Sequence, residues 1–239
     1  MNEHQTPDED ETPDDLLFVW TCAFELAIGL LALVLAGIIG VDARAYFPEW
    51  GQLEVWPIAK DLGVGMIAAI PIVVAVHFLF KIKHPAIESL QRLSDIPMMR
   101  ALLELSTPEL IVISFCAGIG EELAFRGFLV PWIASFDFSI FGQTNSYQVG
   151  ESFTGASPLM IVIALVISSV LFGLVHPITK LYIAVAAFIG VYLGLLFLWT
   201  ESLLVVIVAH GAYDAIQFLL AKRETSSAKE TMARVTGDR

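Results

Sequence analysis

Apolar residues along this chain gather into blocks of about twenty, the length a helix needs to cross a hydrocarbon core of about 30 Å. Such blocks run Leu16–Val41, Leu62–Phe80, Pro108–Phe136, Pro158–His176, Lys180–Trp199 and Ser202–Ala221. They are rich in Gly and Ala, which lets helices approach closely in lipid. None carries the alternating repeat of an outer-membrane barrel. The pattern predicts an all-α, polytopic transmembrane helical bundle of about six to eight helices. Between the second and third blocks, Pro85–Leu105 places apolar residues at mixed helical spacing with Arg92 and Arg100 among them. That predicts an amphipathic helix lying at the membrane interface.

Composition strengthens the membrane reading: 56% of the residues are hydrophobic and the mean hydropathy is +0.74, above the roughly 45–50% apolar share of soluble domains. The first block starts too far from the N-terminus and is too long for a simple cleaved signal, and no Lys or Arg precedes it, so it is expected to be retained. Residues 1–15 hold Glu3, Asp8, Glu9, Asp10, Glu11, Asp14 and Asp15, a composition that solvates rather than packs and predicts a disordered tail. Much of the formal charge of −12 comes from there; it favours no nucleic-acid partner. Cys22 and Cys116 fall inside apolar blocks, where they read as small buried hydrophobes.

Cations set the expected orientation, because Lys and Arg in short loops stay on the cytoplasmic side. Lys81, Lys83, Arg92 and Arg100 mark one loop, and Lys222, Arg223, Lys229, Arg234 and Arg239 mark the C-terminal end. The polar stretch Asp137–Ser157 has neither Lys nor Arg. Spans with both termini cytoplasmic satisfy this, with Arg44 and Lys60 as mild exceptions offset by Asp42, Glu49, Glu54 and Asp61. The chain divides into the acidic tail 1–15, N-terminal spans plus interfacial helix 16–107, a helical core 108–221 and a basic cytoplasmic tail 222–239.

Charged groups inside the blocks single out candidate chemistry. Glu121 and Glu122 are adjacent in the third block and Arg126 follows; each costs several kcal/mol in lipid unless paired or facing water. Glu122 and Arg126, at i and i+4, share a helix face and can pair. Glu121 lies about 100° around the same helix and is free for chemistry. His210 and Asp214 are again one turn apart on one face, and His176 closes the fourth block before Pro177. Together these groups predict one shared polar site within the membrane. Glu25 and His77, each isolated in its block, read as structural.

The motifs Glu121-Glu122-x-x-x-Arg126-Gly127, Phe172-x-x-x-His176 and His210-x-x-x-Asp214, in this order on successive helices, resemble the CAAX prenyl protease and bacteriocin-processing family of intramembrane endopeptidases, also called Abi or CPBP. The resemblance covers roughly Pro108 to Ala221. Asp214 stands where the eukaryotic prenyl-protein enzymes have Asn, an alternative common among prokaryotic members, which implies a bacterial or archaeal cytoplasmic membrane. What the resemblance implies is a polar catalytic cavity open to the cytoplasmic side and hydrolysis of a peptide bond in a membrane-associated, lipid-anchored or leader-type substrate. Glu121 would be the general base and His176 would orient the water. His210 and Asp214 would face the developing oxyanion, with Asp214 orienting His210. Glu122, Arg126 and Phe172 would be supports. Glu121, His176 and His210 form a candidate zinc set, but no His-Glu-x-x-His is present and metal-free catalysis is preferred. A proton-coupled transporter and a non-catalytic immunity or scaffold protein are the rival expectations. One geometric difficulty remains: Glu121 and His210 fall near the middle of their blocks and His176 at the end of its own, so a water-filled cavity is expected to join the levels.

Overall fold

Ser106 opens the helix that carries the acidic pair. Its hydroxyl accepts from the Glu109 backbone N–H at 3.4 Å while the Glu109 carboxylate accepts from the Ser106 N–H at 2.7 Å. This reciprocal cap satisfies two donors that a helix start otherwise leaves unpaired. A computed structural model describes residues 13–48, 55–136 and 146–237, and among them all regular structure is helical. The helices are α1 (Pro13–Ile39), α2 (Val55–Phe80), α3 (Pro85–Gln91), α4 (Pro97–Glu104), α5 (Thr107–Glu122), α6 (Val130–Ala134), α7 (Pro158–Leu174), α8 (Lys180–Thr200) and α9 (Leu203–Gly237).

Four of them are long and apolar enough to cross a membrane, at Leu16–Ile39, Val55–Phe80, Lys180–Thr200 and Leu203–Ala228, and α7 is a shorter apolar helix. Large apolar side chains such as Trp20, Phe24, Ile38, Trp56, Ile67, Phe188 and Trp199 stand exposed on them. In lipid that surface meets acyl chains, so the protein is an integral membrane bundle.

Several boundaries differ from the sequence expectation. The block Pro108–Phe136 is interrupted: α5 passes at Leu123–Leu129 into a π-helical stretch before α6 resumes at Val130. Pro131 lies four residues after Gly127 and offers its carbonyl no N–H, and a widened turn takes up that break. The segment Pro85–Leu105, expected as one amphipathic helix, is two short helices joined by a 3-10 turn, Arg92–Asp95. Ile96 is held extended at φ −66°, ψ 129° by the proline after it. Beyond Ala221 the expected tail is instead helix to Gly237, since residues 222–236 are without Gly or Pro. Lys222 Nζ donates to the Leu105 carbonyl and ties α9 to the start of α5. The predicted acidic tail lies outside the described residues as far as position 12; Pro13–Asp15 already belong to α1.

The N-terminal spans are built into the core. α2 and α5 both pack on α9, α7 packs on α8, and α1 lies along α5. The α1–α5 crossing is a backbone approach. A Cβ on Gly120 would collide with the Glu25 carbonyl oxygen, and one on Gly29 would lie 3.0 Å from the Gly120 Cα. Small residues allow this in lipid, where van der Waals packing rather than hydrophobicity holds helices together. Gly120→Ala is therefore expected to cost about 1–3 kcal/mol by overpacking, lowering the melting temperature in detergent by about 2–12 °C. Gly63→Ala, which meets open space, should leave it unchanged.

One end of the bundle is closed by aromatic packing and hydrogen bonds. Tyr46 stacks on Phe153 at 5.3 Å and shares a 2.6 Å hydrogen bond with the Tyr147 hydroxyl. Glu201 accepts from Ser152 Oγ at 2.8 Å and from the Phe153 N–H at 2.9 Å. The opposite end holds the α7–α8 turn, α3, α4 and the exit of α9.

Candidate active site

The last turn of α5 with the π-helical stretch after it, the turn after α7 and the N-terminal third of α9 bring the ionisable motif residues together. Glu122 and Arg126 are fully buried and pair at 2.7 Å, and the second guanidinium nitrogen donates to the Gly190 carbonyl at 2.7 Å. The guanidinium carbon stands 4.7 Å over the Phe172 ring, so a buried cation is met by a carboxylate, a carbonyl and an aromatic face. Phe172 meets the rings of Phe125 at 5.1 Å, His176 at 5.1 Å and His210 at 5.8 Å. Its position between the two histidines fixes their separation.

His176 sits just past the end of α7. Its Nδ1 lies 2.7 Å from the Phe172 carbonyl. A carbonyl only accepts, so Nδ1 carries the hydrogen and Nε2 is left facing Glu121 Oε1 at 3.5 Å. Because α7 stops at Leu174, His176 reaches the level of Glu121 without continuing through Pro177, which is how the depths of the motifs agree.

His210 is held from both sides. Nδ1 is 2.8 Å from Glu122 Oε1, and Nε2 is 3.3 Å from Asp214 Oδ2 and 4.0 Å from Glu121 Oε2. The sequence assigned Glu122 to Arg126 alone, whereas one carboxylate oxygen serves both the guanidinium and the imidazole. No spacing rule reveals that contact, since the partners are 88 residues apart. Glu121 Oε2 is buried without a hydrogen-bond partner. Exposure changes across the cluster: Glu121 and His210 are buried, while the side chains of His176 and Asp214 are 24% and 26% exposed. The site opens on that side, toward the α7–α8 turn, where the Tyr182 ring lies 6.0 Å from that of His176.

Among the described residues no group of three His, Cys, Asp or Glu side chains has the arrangement of a metal site. In the candidate set Glu121, His176 and His210, Glu121 Oε1 faces His176 Nε2 at 3.5 Å and Oε2 faces His210 Nε2 at 4.0 Å.

One acid that the sequence reading set aside also faces the cluster. Glu25 of α1 interacts electrostatically with Glu121, Asp214, His210 and His176, and its Oε2 is buried without a partner. The available signal was its isolation: it is the one charged residue between Asp15 and Asp42. Cys22 and Cys116 are free thiols. His77 sits in the last turn of α2, its ring 5.9 Å from that of Phe78.

Residues 103–216 match the family model for type II CAAX prenyl endopeptidase Rce1-like. No curated protein and no solved structure gives a significant match. The matched segment contains all three motifs and ends before α9 does; α1 and α2 lie outside it. With its membrane-spanning helices and this match over the motif-bearing segment, the chain is a membrane protein whose residues 103–216 are similar to the type II CAAX prenyl endopeptidases.

Proposed function

We propose that Glu121 is the general base of a metal-free peptidase that cleaves near the C-terminus of a lipid-anchored protein or peptide. The observation that carries this is a buried carboxylate with a free oxygen, set between a buried histidine and one on the open side of the cluster. Burial removes competing water, so a proton taken from the attacking water is transferred within a preorganised site. His176 Nε2, whose tautomer the Phe172 carbonyl sets, accepts a hydrogen bond from the same water and aims it. His210 Nε2 points toward the carbonyl oxygen. Glu122 on Nδ1 holds the ring, and Asp214 beside Nε2 stabilises it as charge develops. This reading shifts the orienting role from Asp214 to Glu122.

The substrate is read from the family: a chain end carrying a prenylated cysteine, entering from the lipid and presented at the His176–Asp214 side. That side is the cytoplasmic one by the cation pattern, with both termini on the same face. The test is a reconstitution. Purified protein in lipid vesicles, given a farnesylated peptide ending in cysteine, two aliphatic residues and a variable residue, should release the terminal three residues. The same peptide without the farnesyl group should react far more slowly. Dialysis against a chelator should leave turnover intact and no zinc at protein stoichiometry. Bound zinc whose removal abolishes turnover would sink the metal-free mechanism.

A further inference from the structure

Peptide hydrolysis does more than add water to a carbonyl; it expels an amine, and that nitrogen needs a proton and then an environment that tolerates positive charge. The motif residues account for the water and the carbonyl oxygen, and the only cation among them, Arg126, is already met by Glu122 at 2.7 Å. The remaining acids leave the cavity with negative charge facing the space where substrate would lie. One of them comes from outside the matched segment. α1 is drawn onto α5 by the Gly29–Gly120 approach, which puts the Glu25 backbone against the residue next to Glu121. From there its carboxylate interacts with Glu121, Asp214 and both histidines, and Oε2 is buried without a hydrogen-bond partner. A buried acceptor left unpaired is costly.

We infer that Glu25 is a further active-site residue, whose carboxylate accepts the N–H of the departing amine and stabilises it as it becomes an ammonium. The inference rests on the peptidase reading above. In the step itself, water oxygen bonds to the carbonyl carbon and Glu121 takes the water proton. The C–N bond then breaks with its electron pair going to nitrogen, and Glu121 returns the proton to that nitrogen. The new acid group ionises, its proton ending on the amine, so the products are a carboxylate and an ammonium. Glu25 takes no proton in this sequence; it holds the nitrogen that receives them. A charge-assisted N–H···O bond of this kind is among the strong ones. The acid is thus supplied by the N-terminal helix that the motifs do not include.

The experiment compares two farnesylated substrates in vesicles, the peptide above and its depsipeptide with an ester at the scissile position. The ester expels an alcohol, which never becomes a cation. Glu25→Gln, which keeps the side-chain shape against α5, should lower kcat on the peptide by about 10- to 100-fold and leave KM and ester turnover within about 2-fold. Glu25→Asp should recover part of the peptide activity. A merely structural Glu25 would depress both substrates equally, and that result, or unchanged cleavage of both, overturns the inference. If the unsubstituted protein cleaves neither substrate, the peptidase reading itself falls and this inference with it. If it cleaves both and the variants match it, only Glu25 has been misassigned.

Discussion

Glu121→Gln is expected to lower turnover of the farnesylated peptide by at least about 100-fold, the lower range for removing a general base, which corresponds to about 2.7 kcal/mol of barrier. The substitution keeps the volume and one acceptor oxygen but cannot take a proton from water. Stability should hardly change. Glu121 Oε2 has no hydrogen-bond partner to lose, and Oε1 stands 3.5 Å from His176 Nε2. A melting temperature within about 3 °C of the unsubstituted protein, combined with lost cleavage and unchanged substrate binding, is the expected pattern. Cleavage that survives in Glu121→Gln would remove this residue from the chemistry and leave His210 and Asp214 to be tested as the base.

Glu122→Gln should behave differently, losing stability and activity together. The substitution leaves the Arg126 guanidinium fully buried with no opposing charge, met only by a neutral amide oxygen, the Gly190 carbonyl and the Phe172 face. Removing one partner of a buried pair costs about 3–5 kcal/mol because the other charge stays uncompensated. The neighbour contact sharpens the test. Replacing Glu122 and Arg126 together by Leu leaves no unpaired charge, so part of the stability should return. Cleavage should not return, because His210 Nδ1 has lost the oxygen that holds it at 2.8 Å. Thermal unfolding and turnover measured on the single and double variants separate the two roles. Activity recovered along with stability would show that Glu122 is a brace alone.

The contrast between these neighbours shows where local spacing stops being informative. Glu122 and Arg126 were readable as a pair because helical periodicity puts i and i+4 on one face, and the 2.7 Å contact agrees. His210 and Asp214 were readable for the same reason. The second partner of Glu122 was not, since it lies on another helix. The amphipathic reading of Pro85–Leu105 expected one helix and missed the break at Pro97. The C-terminal boundary of α9 was placed at the loss of hydrophobicity, whereas helix propensity carries on through polar residues to Gly237.

By itself the sequence determined that the chain lives in a bilayer, that helices cross it, and that a small set of ionisable groups on three of them belongs together. Those conclusions follow from transfer free energies and from the 3.6-residue period, which act within one segment. Only the tertiary structure decided which groups touch: His176 level with Glu121 because α7 ends early, Glu122 shared between Arg126 and His210, and Glu25 delivered beside the site by α1. In lipid every apolar face is equally soluble, so hydrophobicity does not choose which helix faces meet. Close approaches such as Gly29 against Gly120 choose them.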